Sequence, residues 1–144
     1  MNGTPHQYLQ SHVADILRAD DWFAAHRVHI IEQNSADIAT LIDNAEAEAD
    51  GVALVVTYDR EEPIASRPPQ LGVEFSLLAT EYPERNRVAA KFATALDAVH
   101  RARKDLAAAD PSLVYRDTTH ATPDLGMLVA TSKYRTRLIE GEEN

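Results

Sequence analysis

Cysteine is absent from all 144 residues. No disulfide framework and no thiolate chemistry can be built, which fits a reducing compartment. A chain of this length buries a sizeable core without such staples and reads as one domain, residues 1–144. Glycine is scarce, at five residues, and scattered. No G-x-G-x-x-G or Walker sequence occurs, and Ser66, Ser76 and Ser132 have no G-x-S-x-G context, so phosphate loops and nucleophile elbows are not signalled. Apolar runs stop at about six residues, far below the roughly 20 a membrane helix needs. The opening MNGTPHQYLQSHVAD has neither the basic nor the apolar region of a signal peptide. Basic residues are outnumbered, 14 against 23 acidic, for a formal charge of −9. A dedicated nucleic-acid binder needs a basic stripe to displace counterions. The charge therefore argues against a dedicated nucleic-acid binder, and not against a protein that lets DNA slide past without gripping it.

What is present centres on residues 71–106. LGVEFSLLATEY alternates Val73, Phe75, Leu77 and Ala79 with Glu74, Ser76, Leu78 and Thr80, the period of a half-buried strand. Pro83 marks a turn. In RVAAKFATALDAVHRARKDL, the residues Val88, Phe92, Ala95, Leu96 and Val99 form one helical stripe. Asp110-Pro111 closes that helix.

Taken in order, residues 5–18 read as a helix with Leu9, Val13, Ile16 and Leu17 on one face. Trp22 and Phe23 read as core plugs rather than a binding platform. Residues 26–32 read as a strand, and 34–50 as a helix capped at Asn34 or Ser35 and stopped by Gly51. GVALVVTY, at 51–58, reads as a central strand covered on both faces. Residues 59–70, with three prolines and five charges, read as the longest loop, with Ile64 its one apolar anchor. Residues 112–121 and 125–138 read as a closing antiparallel hairpin. The order α-β-α-β-β-α-β-β predicts an α+β fold, with helices packed on a mixed, mainly antiparallel sheet. The ends, 1–5 and 139–144, read as loose.

Candidate chemistry is thin. Six histidines occur, but His26 and His29 would point to opposite faces of a strand, and the six-residue spacing of His6 and His12 does not align them on a helix, so no metal site is predicted. Asp59, Glu81 and Glu84 offer carboxylates without the defined separation that acid–base work needs, and beside Arg85 and Arg87 they read more simply as surface ion pairs. Arg101, Arg103 and Lys104 read as cations complementing a helix C-terminus. Lys133, Arg135 and Arg137 share one face of the last strand. Either they meet the acidic face of a neighbouring subunit or they solvate a sheet edge. No catalytic residue and no cofactor are predicted.

The succession of helix, RVHII, SADIATLIDNA, GVALVV and then VEFSLLATEYPERNR resembles the tail-terminator (tail-completion) proteins of tailed bacteriophages, over roughly residues 7–138. The strand ending at Glu81, followed by Pro83 and the Asn86-Arg87 pair, carries it most closely. The chain departs from the Gly-rich turn often found after that pair, continuing as VAAKFATAL. The resemblance implies a non-enzymatic subunit forming a ring, typically a hexamer, on the last ring of the tail tube. Such a ring stops tube growth and offers the head-tail joining surface. It implies partners in further copies of itself, the tail tube protein and neck or connector proteins, with DNA only as passing cargo and no membrane. The chain would be made in the host cytoplasm and end in the virion. Glu81, Arg85, Asn86, Arg87, Ile64, Lys133, Arg135 and Arg137 are the expected interface residues, Asn86 serving equally well as a helix cap. The alternatives are another neck or injection-apparatus adaptor of similar fold, or a small soluble enzyme.

Overall fold

The computed structural model describes residues 4–32, 52–81, 93–121 and 128–139. Helix α1 (Pro5–Arg18) follows Thr4, whose backbone N–H donates to Gln7 Oε1 at 3.3 Å. Pro5 at the first helical position removes an N–H that would otherwise be unsatisfied. A second, short helix, α2 (Asp21–Ala25), is capped by Asp20, whose side chain accepts the Trp22 N–H at 3.0 Å. Strands β1 (Val28–Glu32), β2 (Val52–Ser66) and β3 (Pro69–Glu81) follow, then helix α3 (Ala93–Ala109) and strands β4 (Val114–Ala121) and β5 (Leu128–Ile139). They make an α+β fold around one five-stranded sheet of order β1-β2-β3-β5-β4. Among the described strands, only the β1–β2 pair is parallel. The helix expected at 34–50, the turn at 122–124 and the first residues of the helix expected from 87 lie outside the described residues.

The strand period decides which side chains meet the helices. Leu54 and Val56 of β2, Val73, Phe75, Leu77 and Ala79 of β3, and Ala130 and Tyr134 of β5 are buried in one cluster. Against them α1 brings Leu9, Val13 and Leu17, and α3 brings Ala95, Ala98, Ala102 and Leu106. Phe75 and Tyr134 stack with ring centroids 5.1 Å apart. Among the polar ties between this layer and the sheet, buried Gln10 donates through Nε2 to the Val56 carbonyl at 2.8 Å. In an apolar interior such a bond orients α1, because leaving either group unpaired costs about 1–3 kcal/mol.

Four expectations are revised. The strand at β3 is half-buried only in its first part. From Phe75 to Glu81 every residue is buried, because Leu78 and Thr80 pair with Val55 and Ala53, both themselves buried on the second face of β2. The predicted loop 59–70 is a β-hairpin: β2 runs on to Ser66 and β3 starts at Pro69, with a cis Arg67-Pro68 bond in the turn. Proline survives there because, among the described residues, β2 pairs on one side only beyond Val56, and Pro63 adjoins a register shift. On α3 the buried stripe runs through Ala95, Ala98, Val99, Ala102 and Leu106, while Leu96 is 39% exposed. At the C-terminal end, Ile139 belongs to β5.

Leu77→Ala should therefore lower unfolding stability by about 2–5 kcal/mol, the range for a fully buried leucine, and Leu96→Ala by roughly 0.5 kcal/mol or less. Urea denaturation of the two variants measures both; equal losses would show that the helix stripe is wrongly placed.

Candidate interaction surface

Where β2 and β3 outrun β1, β5 still pairs with β3 as far as Gln70 and Ile139, so the sheet ends in an arm of β2, β3 and β5 side by side. Residues 59–69 are all exposed. Register brings charged side chains into rows across its outer face: Arg60 stands opposite Glu74, and Glu74 opposite Arg135; Glu62 stands opposite Gly72, and Gly72 opposite Arg137. Within these rows Arg60 binds Glu62 at 3.1 Å and Arg116 of β4 binds Glu74 at 3.0 Å. Next to them Asp59 accepts from Thr57 Oγ1 at 2.8 Å and, closely, from Ser76 Oγ.

Gly72 shapes the middle of this face. A Cβ there would come within 3.1 Å of Ile64 Cγ2, so the missing side chain lets Ile64 lie across the strand. The result is a shallow cleft of about 440 Å³ lined by Ile64, Gly72, Glu74, Val114, Arg135 and Arg137, among others. Ile64 and Val114 are each 45% exposed. Arg135 and Arg137 alternate with buried Tyr134, Thr136 and Leu138 along β5, the pleat fixing which face they take.

The expected interface residues thus divide. Ile64, Arg135 and Arg137 come together in the cleft. Lys133 is exposed on the same strand, opposite Ser76 and Asp117 rather than in the cleft. Glu81 lies apart, at the far end of β3, 1% exposed, with Oε1 accepting the Ala95 backbone N–H at 3.1 Å. A carboxylate so placed holds the start of α3 to the sheet and complements the helix dipole. Arg85, Asn86 and Arg87 lie outside the described residues.

On the helical side the arginines expected to complement the α3 C-terminus do otherwise. Arg101 forms a bidentate pair with Asp20, Nε–Oδ2 2.6 Å and Nη2–Oδ1 3.1 Å, and lies 5.9 Å from the centre of the Trp22 ring. Arg103 covers Tyr115 at 4.6 Å. Asp20 thereby caps α2 and anchors α3 together, roles that the sequence signals only by an aspartate preceding a short apolar stretch. The Arg101 guanidinium, and a bond from Asp105, hold Asp20 well below the usual carboxylate range. Asp105 goes the other way: burial first, then the neighbouring Asp20 carboxylate, push it up to about 6. At the end of α3, His12 Nε2 meets Asp110 Oδ2 at 2.8 Å. Burial works against the Asp110 charge, but the Ser112 and His12 contacts hold its pKa below the ordinary value.

No group of three or more His, Asp or Glu side chains among the described residues is placed to hold a metal ion. None of the described helices is long and apolar enough to cross a membrane. No protein-family model matches the chain, and no curated protein matches it significantly.

The Asp105 shift fixes a sign. Its folded pKa lies above the ordinary 3.8, so its charge costs stability above about pH 6, and the cost disappears as pH falls below 3.8. Asp105→Asn should raise Tm at pH 8, with the gain shrinking toward pH 4. An equal gain at both pH values in thermal melts would remove the charge from the explanation.

Proposed function

We propose that this chain is a non-enzymatic structural subunit of a phage or prophage tail, forming a ring that caps the tail tube, ends its growth and presents the head-tail joining surface. The reading starts from the resemblance across residues 7–138. The observation that carries it furthest is the arm: β2 and β3 run on beyond β1 with β5 beside them, residues 59–69 are exposed and Ile64 is uncovered. A ring closes through heterologous contacts, one patch meeting a different patch on the next copy. The end of the sheet, where Ile64 meets the charged outer face of β5, supplies one half of such a contact. Among the described residues, several carboxylates are taken up in ion pairs and helix-end contacts. The net charge of −9 suits a ring whose lumen repels DNA phosphates and lets the duplex slide.

The alternative reading, another neck or injection-apparatus adaptor of similar fold, differs in what the chain would bind. Light scattering of the chain alone, and then with the tail tube protein of the same genome, combined with negative-stain imaging, separates them. Rings, or tube ends capped and no longer growing, are expected. Tubes that elongate unchanged with bare ends would contradict the terminator reading.

A further inference from the structure

The cleft on the arm carries an imbalance of charge. Glu62 is engaged by Arg60 and Glu74 by Arg116, while Arg135 and Arg137 have no hydrogen bond or ion pair with any described residue. Two guanidiniums therefore stand open in a chain of net charge −9, flanked by the exposed Ile64 and Val114 on either side. Guanidinium is the side chain best suited to forked recognition of carboxylate. An occupant complementary to this cleft is extended, carries two or more carboxylates and offers an apolar residue beside them.

The chain contains such a segment. Ile139, on the outer face of β5 and 36% exposed, is followed by Glu140-Gly141-Glu142-Glu143-Asn144, three carboxylates in five residues. Ile139 pairs with Gln70, beside the arm's turn, so β5 leaves the sheet pointing away from Arg135 and Arg137. Returning to the same copy's cleft would require the chain to reverse direction immediately after Ile139. We propose that residues 140–144 of one copy dock in the Arg135–Arg137 cleft of a second copy, making a directional head-to-tail contact between subunits. The inference rests on the self-assembly reading and adds the two surfaces that meet.

Charge reversal tests it in the full chain by sedimentation velocity at low and physiological salt. The wild type should associate, less so at high salt. R135E/R137E alone and E140K/E142K/E143K alone should each stay monomeric, since tail and cleft then carry like charge. Mixed in equal amounts, the two variants should associate as the wild type does, because every tail then faces an opposite cleft. Either variant associating like the wild type, or a mixture that stays monomeric, overturns the proposal while leaving ring formation intact as a reading.

A synthetic peptide of residues 138–144, titrated into isotope-labelled wild-type chain, should shift the Val114, Arg135 and Arg137 amide signals, and these shifts should vanish in R135E/R137E. No shift in the wild type overturns the cleft assignment whether or not rings form. Shifts without rings or capped tubes leave the contact standing and remove the terminator reading. A monomeric wild type in which only the lysine-tail variant displaces those signals would place the tail in its own cleft and overturn the second-copy assignment.

Discussion

The burial of Val52–Val56 on both faces of the sheet is the constraint from which the architecture unfolds. Five consecutive apolar residues cannot present a wet face, so β2 takes a central position between β1 and β3. Its neighbour inherits the condition: Leu78 and Thr80, which a free alternation would expose, are buried because they stand opposite Val55 and Ala53. Once β2 turns polar at Asp59, that requirement lapses. The strand continues beside β3, which keeps β5 on its other side, and the sheet changes from a buried base to an exposed arm along the same hydrogen-bond ladder.

The helical layer is fixed on this base by a few polar contacts set among small residues. Ala95, Ala98 and Ala102 allow α3 to lie close on β3 and β5, but alanine gives little shape to specify register. Arg101 to Asp20, His12 to Asp110, Gln10 to the Val56 carbonyl and the Ala95 N–H to Glu81 supply it. Three of the four join segments more than 40 residues apart in sequence. Each is a partly or fully buried bond in which a lone partner would be left unsatisfied, so each penalises a shifted helix more than it adds to net stability.

The fold class, the limits of α1, the central strand and the closing hairpin were legible because their periodicities are long and local. The arm was not. Residues 59–70 carry three prolines and five charges, which in isolation describe a loop; their pairing depends on β3 offering a continuous partner, a fact about a neighbour rather than composition. The same reason hid Leu96: its place on the apolar stripe is a helical coincidence, and only the packing of α3 on β3 and β5 shows the buried stripe turning toward Ala98 and Ala102. Of the candidate surface, the shared face of Lys133, Arg135 and Arg137 follows from the strand period. That Ile64 joins Arg135 and Arg137 depends on the absence of a Cβ at Gly72, and that Glu81 faces inward depends on where α3 begins.

The account holds that the doubly buried base is a fixed framework and the arm is where subunits meet. Amide hydrogen exchange, compared between dilute chain and chain assembled with itself or on tube ends, tests this most directly. Residues 52–56 and 77–81 should exchange slowly in both states, and new protection on assembly should fall on 59–74 and 133–139. Protection gained elsewhere, with the arm exchanging as fast as before, would contradict it.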